Sequence, residues 1–504
     1  MRKIGTVPIF LLLAAWLVPG LFGHDPWKPD EAYTFGLVYH IVESGDWLVP
    51  TLGGEPFVEK PPVFFWTAAL FAKLFGGTMP LHDAAHLATA FYVILSLLFT
   101  GLAARRLYGA GAAWPAVLLL AGSVGYLQHA HQLITDNALM AGTAMGLYGL
   151  AAFNGWWLGM GAGIAFLSKG LLGPGLLGVT AVALVALPAW RQSWRTWPAA
   201  SLAFLPWALV WPWLLYARSR ELFREWFVVN NFGRFTGEAG LGGVLDHLHY
   251  AKALTWFALP AWPIAAWAVW KRHSRALHLP LVAFVVMFVV LSAASSARTL
   301  YALPMLVPLA LLAAGALPPR ALLKALEWLG WWGGLIAGIA LWAAWIAFVG
   351  GWRAAFLESQ SPGFVPHVAW LPLAAALAVT AACIYAMYLQ PRMPARWLAG
   401  VALAWGLAMT LWLPWLDHAK GYRGVIAEMK AHAAPGCVAG RNLTEPQRAM
   451  FHYHAGVRAD RHDCPNLVVH TAQAQEPDAG PGWKLAWRGT RPGDSKEFFW
   501  LFRK

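Results

Sequence analysis

Charge is what this sequence has least of: 12% of its 504 residues are Asp, Glu, Lys or Arg, whereas 59% are hydrophobic. A soluble globular chain carries about 25% charged residues. Too little polar surface is left to cover a water-soluble particle, so lipid must cover the rest. Cysteine is also scarce, at three residues. Cys383 lies in an apolar run and reads as inert packing. Cys437 and Cys464 fall in a polar tail, where an oxidising compartment would permit a disulfide, and the sequence leaves their pairing open. The turns contain no Gly-rich nucleotide loop, and the chain shows no internal repeat or low-complexity linker. The formal net charge of +13 does not mark a nucleic-acid binder either. Many of the lysines and arginines sit in short turns between apolar runs, where they orient a membrane protein.

What the chain has in abundance is apolar runs of roughly 17 to 25 residues, long enough to cross a bilayer. It also has 32 Trp, a residue that settles at membrane–water interfaces. The runs fall at 6–23, 83–104, 111–128, 137–153, 157–168, 171–190, 197–217, 252–270, 280–296, 300–317, 326–350, 366–389 and 397–416. They predict an all-α integral membrane protein with about thirteen transmembrane helices. The first run follows Arg2-Lys3 and resembles a signal peptide, but it lacks a clear small-x-small cleavage site and reads as an uncleaved helix. The Trp- and Gly-rich tract at 328–352 reads as lipid-facing and packing surface.

Basic turns set the orientation. Arg105-Arg106, Arg191 with Arg195, Lys271-Arg272 with Arg275, Arg320 with Lys324, and Arg392 with Arg396 all lie on one side, the cytoplasmic side. The N-terminus then lies there too. A first loop at 24–82, a second at 218–250 and the tail at 417–504 face the opposite, extracytoplasmic side. The tail reads as a small α/β domain with strand-like alternation at 465–470 and 497–502, following a membrane domain at 1–416. Within the first loop, Asp30–Ser44 reads as a helix. Residues 62–75 read as a second, amphipathic helix, too short to span and lying in the interface.

That loop gathers the chemistry. It contains Pro29-Asp30-Glu31, Ser44-Gly45-Asp46-Trp47, Gly53-Gly54-Glu55-Pro56 and Glu59-Lys60-Pro61-Pro62. Adjacent carboxylates at a membrane face can act as a general base or steady developing charge. A Lys on a stiff, Pro-flanked stem suits a phosphate as a point charge. Each part has a commoner structural role when taken alone: Asp30 as a helix cap, Asp46 as a turn residue, Glu59-Lys60 as a surface pair. Together they are the set that sugar transfer from a polyprenyl phosphate needs, with one carboxylate to activate an acceptor and cations to hold the departing phosphate.

In their order, Pro29-Asp30-Glu31-Ala32-Tyr33, Ser44-Gly45-Asp46-Trp47 and Glu59-Lys60-Pro61-Pro62 resemble the first loop of C-fold membrane glycosyltransferases. Within these, the resemblance is to the branch of protein O-mannosyltransferases and lipid A 4-amino-4-deoxy-L-arabinose transferases. Thr135-Asp136, Ser168-Lys169-Gly170, Asn230-Asn231-Phe232-Gly233-Arg234-Phe235 and Ala297-Arg298-Thr299-Leu300-Tyr301-Ala302-Leu303-Pro304 resemble further motifs of that family. All fall on the side that charge alone assigned to the first loop.

The resemblance implies Asp30 as the catalytic carboxylate, Glu31 beside it, and Asp136 as a second acidic member. Lys60, Arg234, Arg298, Lys169 and Tyr301 would hold the phosphate of the lipid carrier. Glu59 would orient Lys60 or, with Asn231, hold a divalent metal; no cofactor is otherwise expected. The family's acidic–His pairing in the second loop is not reproduced, because Asn230-Asn231 stands there. His247 with His249, and His129 with His131, stay open as metal ligands beside the plainer reading of interfacial histidines.

The implied activity is transfer of a sugar from a polyprenyl (undecaprenyl) phosphate donor to an acceptor outside the cytoplasm, in a bacterial inner membrane. The short tail favours a lipid A acceptor, with a protein or glycan hydroxyl as the alternative. A transporter or lipid flippase is the rival from another class. It would place ionisable residues near the bilayer midplane, or unwound helices in repeated halves; the charges instead gather at the outer ends, and no repeat is seen.

Overall fold

The computed structural model describes residues 6–233, 246–271, 274–294, 297–315, 318–352, 354–389, 393–461, 463–494 and 496–504. Each apolar stretch contains helix. Among the described residues, five helices are long and apolar enough to cross a membrane: Leu81–Tyr108, Pro188–Arg218, Arg275–Ser292, Arg320–Val349 and Trp370–Leu389. Two bent pairs, His249–Phe257 with Ala261–Lys271 at 106° and Ala395–Ala408 with Leu413–Lys420 at 61°, raise the number to seven if each pair is one span. The Trp-rich tract divides as its composition suggests. Gly330, Gly334 and Gly338 are buried on the Arg320–Val349 helix, and the first two lie against Trp397 and Gly400 of the Ala395–Ala408 helix. Trp328, Trp332 and Ile336 point outward.

One helical hairpin does most to build the site. Helix Asp136–Ala151 is buried on nearly its whole circumference, as expected of a helix that is apolar all round. Asn154 caps the next helix, Gly155–Lys169, by accepting from Trp157 N–H. The two run antiparallel at glycine-to-glycine distance: a Cβ on Gly142 would meet Gly161 O at 2.6 Å and Ala165 N at 2.7 Å. Small residues spaced in this way let helix backbones approach in lipid. The hairpin therefore brings its two ends together, with Asp136 at the start of one helix and Lys169 at the end of the other. Each charge complements its helix dipole.

The first loop folds as expected. Asp30–Ser44 is a helix, and Val63–Phe75 is a second. Between them a small hairpin of β1 (Thr51–Leu52) and β2 (Glu55–Pro56) turns on Gly53 and Gly54, at φ of 59° and 99°, where L side chains would be strained.

The tail forms a sheet of β3 (Val438–Arg441), β4 (Asn466–Thr471), β5 (Lys484–Thr490) and β6 (Phe498–Arg503) in the order β3-β4-β6-β5. β3 and β4 are parallel, with Val438 opposite Asn466. Cys437 and Cys464 stand just before these strands and are bonded, their Cα atoms 5.1 Å apart. Residue 417, the expected start of the tail, lies in the Leu413–Lys420 helix. Helix Glu445–Ala455 lies on the Asp30–Ser44 helix. Gly36 leaves no room for a side chain beneath Ala449, and the Phe35 and Tyr453 rings meet at 4.8 Å. The tail thus sits directly on the first loop.

Replacing Gly142 with Leu should force the helical hairpin apart. Overpacking of this kind costs about 1–3 kcal/mol, and the variant should unfold at lower temperature in detergent with both ends of the hairpin displaced.

Candidate active site

Asp30 opens its helix, and Pro29, the residue before it, offers no side-chain cap. The Asp30 carboxylate does not cap the helix as an isolated Asp commonly would. It accepts from Tyr33 Oη at 2.8 Å, one turn further on, and lies 3.8 Å from Lys60 Nζ. The Lys60 ammonium in turn donates to Tyr33 Oη and sits 4.6 Å from the centre of its ring. Tyr33 is the member that sequence reasoning leaves unassigned, although its i, i+3 spacing from Asp30 is a usable signal.

Burial resists the Asp30 charge, but Lys60, Tyr33, Lys169 and Arg298 outweigh it and hold the carboxyl below its ordinary range. Lys60 is buried, and burial together with Lys169 draws its ammonium below the ordinary lysine range despite Glu59, Asp30 and Asp136.

The helical hairpin supplies the second pair. Lys169 Nζ lies 3.0 Å from Asp136 Oδ2 and 5.1 Å from the centre of the Tyr301 ring. Lys169 satisfies Asp136 Oδ2, whereas the buried Oδ1 has no hydrogen-bond partner. Glu59, Lys60, Asp136, Lys169, Asn231 and Tyr301 share the polar end of a cavity of about 410 Å³. Its other walls are apolar, with Leu172, Leu176 and Val179 on one helix and Val290 and Leu291 on another. Asp30 and Arg298 do not line it. Asp30 stands behind Lys60, and Arg298 is exposed just before the Thr299–Ala302 turn, near enough for its charge to act on Asp30. Arg234 lies outside the described residues.

Two expectations need correction. Glu31, one residue after Asp30, faces the other way, because successive helical positions differ by about 100°. It is buried, accepts from Leu133 N at 3.1 Å and Trp27 N at 3.3 Å, and meets His86 Nε2 at 3.4 Å. It ties the first-loop helix to the segment before Asp136 and does not share the cavity. Asn231 is not available to a metal either. Its Oδ1 accepts from Leu171 N at 2.9 Å and its Nδ2 donates to Trp226 O at 2.8 Å. This clamp joins the π-helical segment Glu225–Gly233 to the turn after Lys169.

Among the described residues, His24, Glu31 and His86 are the one group of three with metal-ligand atoms within 4.8 Å of each other. Both ring nitrogens of His24 face carbonyl oxygens, Asp25 O at 2.8 Å and Gly20 O at 3.1 Å. That environment favours two protons over a free lone pair. Burial opposes the His24 charge, yet Glu31 and the two carbonyls raise its pKa. A buried ion pair with Glu31 fits these residues better than a metal. The four histidines that the sequence left open as metal ligands each have a hydrogen-bond partner. His131 is held by Leu127 O and Trp16 O, His129 by Gln132, His247 by Ser292 O, and His249 by Thr299. Asp46 is a turn residue, accepting from Leu48 N at 2.9 Å.

Asp25, next to His24, ties the loop to the tail. It pairs with Arg423, and its Oδ2 lies 3.5 Å from His454 Nε2. Burial resists its charge, but His454 and Arg423 prevail and hold the carboxyl down to about 2. A lowered pKa stabilises the fold fully above the unfolded value, and the gain is lost as pH falls through the folded one. Asp25→Asn should therefore lose on the order of 2 kcal/mol at pH 7. Its deficit against wild type should shrink as thermal unfolding is followed from pH 4 down to pH 2.

Residues 59–223 match the family model described as dolichyl-phosphate-mannose-protein mannosyltransferase. That span includes Lys60, Asp136 and Lys169 and leaves Asp30 outside. Two curated relatives are undecaprenyl phosphate-alpha-4-amino-4-deoxy-L-arabinose arabinosyl transferases. The one from Pseudomonas paraeruginosa is 31% identical over 60% of this chain and 58% of its own length. The one from Pseudomonas savastanoi pv. phaseolicola is 28% identical over 62% and 61%. The chain thus spans about three fifths of the length of these relatives. The crystal structure of ArnT from Cupriavidus metallidurans bound to undecaprenyl phosphate superposes with a TM-score of 0.69 at 17% identity, covering 98% of this chain and 97% of that one. Its apo state gives 0.64 at 20% identity, covering 89% and 84%. The chain is therefore similar in sequence to the aminoarabinose transferases and, over nearly its whole length, has the membrane fold of ArnT.

Proposed function

We propose that the protein is a glycosyltransferase that moves a sugar, 4-amino-4-deoxy-L-arabinose, from undecaprenyl phosphate to lipid A. The observation that carries this reading is the cavity itself. Two ammonium groups, Lys60 and Lys169, stand at its polar end, and apolar helix walls lead away from them. This arrangement suits a lipid phosphate with a long hydrocarbon tail. In the reaction, an acceptor oxygen attacks the anomeric carbon and the bond from that carbon to the phosphate oxygen breaks. The undecaprenyl phosphate leaves with the bonding electrons, and Lys60, Lys169 and Arg298 steady its charge. A lipid A phosphate needs little proton removal, so Asp30 acts mainly by its negative charge near the reacting sugar. A protein or glycan hydroxyl, the second reading and the one favoured by the match to the mannosyltransferase model, would need Asp30 as the base.

The same reading sets about thirteen spans in a bacterial inner membrane, with the N-terminus cytoplasmic. The cavity and a tail domain at 417–504, following a membrane domain at 1–416, then face the periplasm. The basic turns support this orientation.

Purified protein in liposomes should move radiolabelled aminoarabinose from its undecaprenyl phosphate to lipid A. Asp30→Asn should lower kcat by about 10²-fold or more, and Lys60→Ala should raise the donor KM by about tenfold. Equal transfer by wild type and Asp30→Asn would remove Asp30 from the chemistry. Transfer to peptide or glycan hydroxyls alone would establish the second reading. Label that crosses the bilayer without transfer would favour a transporter.

A further inference from the structure

The segment that leads into Asp30 is gripped from outside by the tail. Asp25 N and Trp27 Nε1 both donate to Asp417 Oδ1, at 2.9 and 3.0 Å. Lys420 Nζ sits 4.6 Å from the centre of the Trp27 ring. The Lys28 ammonium reaches Asp494 and lies 3.1 Å from Glu497 Oε1. Its two carboxylate partners belong to a buried network. Arg491 donates from Nε to Glu497 Oε2 at 2.8 Å, from Nη2 to Asp494 Oδ2 at 2.9 Å and from Nη1 to Ala419 O at 2.9 Å. Tyr422 and Gln447 both donate to Glu497 Oε1. Arg491 and Glu497 are 3% and 7% exposed, so the anchor is stiff. Two cations balance two carboxylates, and Lys28 is the member that comes from the first loop.

Glu31 fastens the first turn from inside, to Trp27 N, Leu133 N and His86, and Lys28 fastens the lead-in from the tail side. Pro29 caps without a side-chain hydrogen bond, and the local backbone tie is Ala32 N to Trp27 O at 3.1 Å. Tyr33 travels with Asp30 on one helix, whereas Lys60 is on the far side of the β1–β2 hairpin. A tilt of the helix start would keep the Asp30–Tyr33 bond and change the 3.8 Å separation of Asp30 from Lys60. We propose that Lys28 is a positioning residue: held by Asp494 and Glu497, it sets where Asp30 stands relative to Lys60. Its effect on catalysis rests on the transfer reading above. A misplacement of about 1 Å is enough to cost about 10²-fold in rate.

The tail has other attachments to the loop, at His452–Glu43, Arg448–Glu55 and Arg423–Asp25, so loss of Lys28 should not release it. In the full-length protein in detergent, Lys28→Ala should raise hydrogen–deuterium exchange at least about fivefold in a peptide covering residues 30–35. A peptide from the Glu445–Ala455 helix should not change. In the transfer assay kcat should fall about 10- to 100-fold with the donor KM unchanged. The acid limb of the kcat–pH profile should move upward, because Asp30 loses part of its Lys60 field. Lys28→Arg should recover most of the rate. Unchanged exchange at 30–35, or a rise in both peptides together, would overturn the proposal. A kcat equal to wild type would do so as well. Absence of transfer by wild type would defeat the transfer reading instead, and the exchange experiment would still decide the role of Lys28.

Discussion

Charges taken out of water persist only when they are paired, and this constraint organises one end of the molecule. Asp30 with Lys60, and Asp136 with Lys169, form two pairs, of which Lys60, Asp136 and Lys169 line an otherwise largely apolar cavity and Asp30 stands next to it. Each pair needs its members on separate elements that meet in space. The first is made by a loop folding back on itself through Gly53 and Gly54, the second by a helical hairpin closing on Gly142 and Gly161. An arriving phosphate would find both ammonium groups already desolvated and held. Their carboxylate partners, displaced in part from those cations, would face the sugar. On the proposed transfer reading, the resting pairs and the chemistry would use the same groups.

The rest of the polar structure keeps these pairs in register. Glu31 turns away from the cavity and fastens the Asp30 helix to the backbone at Leu133, three residues before Asp136. Asn231 fastens the π-helical segment to the turn after Lys169. The tail holds the lead-in to Asp30 through Asp417, Asp494 and Glu497. Residues adjacent in sequence divide the work: Asp30 faces Lys60 and Tyr33, and Glu31 the frame.

Much of this is legible in the chain of residues alone. The shortage of charge and the recurrence of apolar runs require a lipid-embedded helical bundle, and the basic turns group Asp30, Lys60, Asp136, Lys169 and Arg298 on one side. Both first-loop helices and two strands of the tail lie close to where the pattern suggests. Glu31 escapes the pattern because a motif names neighbours in sequence, while a helix sends them about 100° apart. Asn231 escapes it because an amide that ligates a metal and one that bridges backbone groups look alike in sequence. Tyr33 escapes it because its significance depends on Lys60, twenty-seven positions away.

The sequence by itself determined the solvent, the class of fold and the kinds of charge available to the site, since these follow from composition and from local periodicity. Tertiary structure decided which charges meet. Whether Lys60 pairs with Asp30 or Glu31, whether Cys437 finds Cys464, and that Lys28 is held by residues more than four hundred positions later all depend on the close approach of distant backbones. Glycine contacts and a parallel strand register set that approach, and no local pattern encodes it.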